Sequence, residues 1–152
     1  MSAPVAKSFH MEKVDLSRPK VHTILSQLGE WLPNAKFERD GKVEKCADAD
    51  LDHYCRPLFD ELDIPSKISS QQVRMKYNVI RILSQEPVEF YNSIGEMDLI
   101  PILVIGGDPI ISNATVDPLQ NISQSLIPGT RIHITQDVKI SPALYCLILV
   151  TY

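Results

Sequence analysis

Residues 128–152 read PGTRIHITQDVKISPALYCLILVTY, and this run decides how the rest of the chain is read. Pro128-Gly129-Thr130 makes a corner. Beyond it, Ile132, Ile134, Val138 and Ile140 alternate with Arg131, His133, Asp137 and Lys139. That is the two-residue period of a half-buried strand over Arg131–Ile140. Ser141-Pro142 turns the chain, and Ala143–Tyr152 is continuous apolar sequence, as in a strand covered on both faces.

Working back from this end, Ile100–Ile105 predicts a short apolar strand closed by Gly106-Gly107-Asp108, with Ile110–Val116 returning as its hairpin partner. Asp117–Leu126 reads as a short helix or ordered loop. Val73, Met75, Tyr77 and Val79 alternate with Arg74, Lys76 and Asn78, and the switch to Ile80 and Ile82 marks a bulge. A helix through Val73, Tyr77, Ile80 and Leu83 fits nearly as well, so residues 73–83 stay open between strand and helix.

The first half is different. Residues 1–20 show no period and read as a flexible arm. Val21, Ile24, Leu25, Leu28 and Trp31 or Leu32 recur at helical spacing, stopped by Pro33-Asn34. Asn34–Asp50 is polar and reads as a connection. Leu51, Tyr54, Leu58, Phe59 and Leu62 give a second helical stripe despite Pro57. The reading is α+β: a single domain over residues 21–152, with an N-terminal helical portion (21–65) followed by a five-stranded OB-like β-barrel (71–152).

Composition narrows the function. A chain of 152 residues with 44% hydrophobic content has the size of one domain, burying roughly 68–70% of its unfolded surface. Its net charge is −4, and Ile82–Thr130 holds no Lys or Arg but contains Glu86, Glu89, Glu96, Asp98, Asp108 and Asp117. Such a surface repels a phosphate backbone. The odd cysteine set (Cys46, Cys55, Cys146) fits a reducing compartment, and neither a long apolar span nor a secretory signal is visible. The expected location is nuclear or cytoplasmic, not secreted and not in a membrane, which makes the sequons at Asn113 and Asn121 incidental.

No catalytic residue, metal site or cofactor is expected. Asp48, Asp50 and Asp52 imitate the start of a calcium loop, but His53 stands where glycine is needed and Phe59 where a bidentate glutamate is needed. Cys46, His53 and Cys55 lack a fourth ligand and a zinc-type spacing. Nothing marks Cys55 with His53, or Cys146 with His133, as an activated thiol, which leaves a small cysteine-dependent enzyme as a third-ranked reading. An alternative is a single-stranded nucleic-acid-binding protein using Arg74, Lys76, Arg81, Arg131 and Lys139, with Tyr77 or Tyr145 as stacking platforms.

Taken together, Val73–Leu83, the loop Ser84–Ile100, Pro101–Ile105 with its Gly-Gly-Asp turn, Ile110–Val116, Pro128-Gly129-Thr130-Arg131 and Leu144–Val150 have an order and spacing that resemble the OB-fold of the RecQ-mediated genome instability family. The resemblance covers about half of the chain. It implies a non-catalytic adapter of a DNA-processing complex serving DNA repair and genome stability, with a type IA topoisomerase (topoisomerase III) or a RecQ helicase as protein partner. It also implies that Ser84–Ile100 projects toward that partner. There Val88, Phe90, Tyr91, Ile94 and Met97 would be apolar anchors within an acidic rim. The alternative for Phe90 and Tyr91 is that they fold back on the barrel as a lid.

Overall fold

A computed structural model describes residues 11–16, 18–62, 75–83, 86–90, 96–113, 123–135 and 137–151. Its elements are β1 (Met11–Asp15), α1 (Pro19–Trp31), β2 (Phe37–Asp40), β3 (Val43–Cys46), α2 (Leu51–Glu61), β4 (Met75–Ile82), β5 (Val88–Phe90), β6 (Glu96–Val104), β7 (Ile110–Asn113), β8 (Ser123–Ser125), β9 (Thr130–Ile134), β10 (Val138–Ile140) and β11 (Leu144–Thr151). A short 3-10 turn, Leu32–Asn34, follows α1.

The strands form two sheets, ordered β1-β9-β6-β11-β4-β3-β2 and β5-β10-β7-β8. From β4 onward the chain moves back and forth between them: β4, β6, β9 and β11 lie in the large sheet, and β5, β7, β8 and β10 in the small one. Every pairing is antiparallel. Eight strands shared in this way between two facing sheets make a jelly roll. The expected five-stranded OB-like barrel is therefore corrected: the sheets face each other without closing.

Two apolar layers hold the molecule. Between the sheets, Ile80, Ile82, Val88, Met97, Leu99, Ile111, Ile132, Ile134, Val138, Ile140, Leu144 and Cys146 pack as one cluster. The opposite face of the large sheet presents Val79, Ile100, Ile102, Tyr145, Leu147 and Leu149 to the helices. β11 runs between β4 and β6 with both faces covered, which is why its sequence is apolar throughout. Helix α1 starts on Pro19, whose missing N–H costs nothing in a first turn, and buries Val21, Leu25 and Leu28. Helix α2 buries Leu51, Cys55, Leu58 and Phe59. Trp31 stacks on Tyr54 at 4.1 Å between ring centroids, fastening α1 to α2.

Several local expectations change. β4 is a strand paired in unbroken register with β11, so Ile80 and Ile82 mark no bulge there; Val79 faces the helices while Ile80 and Ile82 face the small sheet. The irregularity lies in β6, where the register against β11 shifts beside Pro101, a residue unable to donate to the ladder. Arg131–Ile140 is two strands, β9 in the large sheet and β10 in the small one. Asn34–Asp50 contains the β2–β3 hairpin, and Met11–Asp15, within the expected flexible arm, pairs with β9.

A candidate site at the open seam

A sandwich that does not close has an open seam, and here it lies where β2 and β3 of the large sheet face β5 and β10 of the small one. The two-residue hairpin loop that borders it is Gly41-Lys42: Gly41 adopts a left-handed φ of 65°, which glycine reaches without a Cβ clash. This turn sets Lys42 and Lys45 beside the seam.

The seam holds a groove of about 830 Å³ lined by Asp40, Lys42, Val43, Lys45, Glu86, Pro87, Val88, Glu89, Phe90 and Lys139. Its base is apolar, because Val43 and Val88 are buried and Phe90 packs against the cluster between the sheets. Its walls carry charge of both signs. Lys45 Nζ lies 2.6 Å from Asp40 Oδ2, and Lys139 Nζ lies 3.6 Å from Glu89 Oε1. Both lysines are at least one-third exposed, so these pairs add little to stability. Chemically, the groove offers an aromatic surface, ammonium donors and carboxylate acceptors.

The residues expected to meet a partner are divided by the structure. Val88 and Met97 are core residues, 6% and 4% exposed, and Phe90 is half-buried on the same cluster; Tyr91 and Ile94 lie outside the described residues. Of the expected basic face, Arg131 is paired with Asp98 at 3.1 Å on the large sheet, and Lys139 sits on the small sheet beside Glu89. Lys76 is exposed on β4, while Arg74 lies outside the described residues. Arg81 pairs with Glu44, receives support from the Tyr145 hydroxyl at 3.3 Å and lies 4.5 Å over the Phe37 ring. Its cationic form is strengthened: burial disfavours the charge, but the Tyr145 and Glu44 hydrogen bonds outweigh it. These cations do not share one face.

The thiols are not activated. Cys46, Cys55 and Cys146 are unpaired and buried. Burial, with smaller contributions from Cys46 and Asp52, pushes Cys55 up to about 12. Burial likewise raises Cys146, and it raises Cys46 against a lowering backbone hydrogen bond. The thiolate is the nucleophile, so none of these sites supports a cysteine-dependent enzyme. On the helix-side face of the large sheet, His133 Nδ1 and Asp98 Oδ1 are 2.8 Å apart, and with Arg131 they clasp β9 to β6. Lys42 and Lys45 were not among the expected site residues, although Gly41-Lys42 between Phe37–Asp40 and Val43–Cys46 is a glycine-first two-residue hairpin signal that places them.

No protein-family model matches this chain, and no curated protein matches it by sequence. Among solved structures, an oxidoreductase of the 2OG-Fe(II) oxygenase family from Burkholderia pseudomallei superposes with a TM-score of 0.57 at 9% identity, covering 93% of this chain and 83% of that one. The non-heme alpha-ketoglutarate-dependent epimerase SnoN from nogalamycin biosynthesis gives 0.61 at 13% identity, covering 96% and 78%. The likeness is one of fold. Both structures are enzymes, and neither is an OB barrel. The expected non-catalytic adapter of a DNA-processing complex and the nucleic-acid reader rested on the barrel and are withdrawn with it; the expectation that the chain is not an enzyme, drawn from the lack of a catalytic motif and from that resemblance, is withdrawn on the likeness to these two enzymes.

That fold raises the question of iron, which a non-heme site of this kind holds through two histidines and a carboxylate around open positions. The residues between the sheets do not fit it. Inward positions on the small sheet are Val88, Ile111, Val138 and Ile140, and the buried polar residues of the described chain are Asn113 and Thr130. His22 and His53 are exposed on the two helices, and His133 lies on the far face of the large sheet. Among the described residues, no group of His, Cys, Asp and Glu is placed to hold a metal ion.

Proposed function

We propose that this chain is a jelly-roll enzyme that binds a small polar metabolite in the seam groove and acts on it by proton transfer. The observation that carries this reading is the groove itself: about 830 Å³ of concave space with an apolar base of Val43, Val88 and Phe90, lined also by Lys42, Lys45, Lys139, Glu86 and Glu89. That volume and that mixture suit a small ligand bound by a few polar contacts. Lysine and glutamate are also the groups able to give and take protons from a bound molecule. The likeness to an oxidoreductase and an epimerase supports the choice of an enzyme, since the same fold carries chemistry in both.

The test is thermal unfolding of the intact chain against panels of amino acids, hydroxy acids, sugars and their phosphates, repeated with Lys139→Gln and Phe90→Ala. A true ligand at 100 times its Kd stabilises by about 2.7 kcal/mol, raising Tm by roughly 5–10 °C in a chain of this size. Lys139→Gln should abolish most of that rise. If no class raises Tm, or if both variants respond like the parent, the seam is not the site.

A further inference from the structure

Lys42 and Val43 border a second, smaller recess of about 220 Å³, completed by Arg39, Glu44, Arg81 and Leu83. Its charge differs from that of the main groove. The main groove balances three lysines against Asp40, Glu86 and Glu89, whereas here three cations face the single carboxylate of Glu44, which is already engaged by Arg81. Two of the cations keep capacity to spare. Arg39 spends its Nε on the Gly41 carbonyl at 3.4 Å; among the described residues, its terminal nitrogens and the Lys42 ammonium have no acceptor. The third is held rigid: Arg81 is fixed by Glu44, by Tyr145 and by stacking on Phe37.

We propose that this recess binds the phosphate of a phosphorylated metabolite whose remaining part lies in the seam groove, with Lys42 bridging the two. This rests on the seam-groove reading and names its substrate class. The surplus of two positive charges matches a phosphate monoester, which carries about −1.5 to −2 at neutral pH, better than it matches a single carboxylate. Guanidinium groups present paired donors to phosphate oxygens, and the flexible Lys42 adds a point charge. The excess is local, because the chain as a whole is acidic at −4.

The experiment is a titration of the full chain with inorganic phosphate and with sugar phosphates and their unphosphorylated sugars, followed by calorimetry and by phosphorus NMR at fixed ionic strength. The variants are the double substitution Arg39→Gln with Lys42→Gln, and Lys139→Gln as a control in the main groove. Arg39 and Lys42 are exposed, so circular dichroism should show an unchanged fold. Inorganic phosphate should bind to the parent and to Lys139→Gln, and at least tenfold more weakly to the double variant. Phosphorylated ligands should bind at least tenfold more tightly than their unphosphorylated counterparts. Phosphate binding that is absent, matched by chloride at equal ionic strength, or indifferent to the double variant overturns the proposal. A metabolite that depends on Lys139 but ignores the double variant overturns the recess and leaves the seam reading standing.

Discussion

Asp48 shows how a short-range contact hides in a suggestive motif. Its Oδ1 accepts the Asp50 N–H at 3.0 Å and its Oδ2 accepts the Lys36 N–H at 3.1 Å, so the carboxylate stitches the approach to α2 onto the chain before β2. These two backbone donors, Asp50 first, hold its pKa below the ordinary aspartate range. A depressed pKa favours folding while the group is ionised; that contribution is present above the unfolded value of about 3.9 and fades as pH falls through the lower folded value. Asp48→Asn should therefore lower Tm at pH 7 and have a smaller effect near pH 2.5. Equal losses at both pH values would show that the carboxylate charge is unimportant. The cysteines give a second residue-scale prediction: Cys46, Cys55 and Cys146 should resist a thiol reagent in the folded chain at pH 8 and react fully in denaturant. Raised thiol pKa values also make the folded state lose stability as pH climbs from about 8.5 toward 12. A thiol that reacts at once in the native protein would contradict this burial. The sequence pointed correctly to Cys146 as a core residue because of its apolar strand, but nothing in the spacing of Asp48, Asp50 and Asp52 announced a backbone tie.

At the scale of elements, legibility depended on how many faces of a segment are buried. The two helices were readable from Val21, Leu25 and Leu28 and from Leu51, Leu58 and Phe59, because each has one wet face and hence a period. β11 was readable from its unbroken apolar run. The division of Arg131–Ile140 was not, since Ile132, Ile134, Val138 and Ile140 all face the space between the sheets and the alternation continues while the chain passes from one sheet to the other. The short strands β5 and β8 carry three residues each, too few to show a period at all. The packing assigned to β9 predicts that Ile134→Ala, which opens a cavity between the sheets, lowers stability by about 2–5 kcal/mol in chemical denaturation. Arg131→Gln, on the opposite face of the same strand, should cost less than about 1 kcal/mol because its partner pair is partly solvated. A reversed order of these two losses would mean that β9 presents the other face to the small sheet.

At the scale of the molecule, the jelly roll has its interior filled and its seam open. The five-stranded barrel inferred from sequence missed this because strand count and turn order do not state which sheet a strand joins; the switches between sheets are long-range pairings. The candidate groove was missed along with the fold, as Lys42 and Lys45 come to line one groove with Phe90 and Lys139 only once β3 and β5 are known to face one another. No helix among the described residues is long and apolar enough to cross a membrane. The aliphatic lining between the sheets among the described residues predicts that Fe(II) added anaerobically leaves the amide NMR signals of Ile111, Ile134, Val138 and Ile140 neither shifted nor broadened. Broadening centred on those residues would refute the packing between the sheets as a metal-free core.

The central claim is that the seam is where this protein meets its ligand. Its most direct test is an amide NMR titration of the isotope-labelled chain with the phosphorylated compounds that stabilise it. Saturable shifts should concentrate on Arg39, Lys42, Val43, Lys45, Val88–Phe90 and Lys139, with the helix-side residues Leu25, Leu28, Leu58 and Leu147 unmoved. Shifts centred on α1 and α2, or a response spread evenly over both sheets, would contradict it.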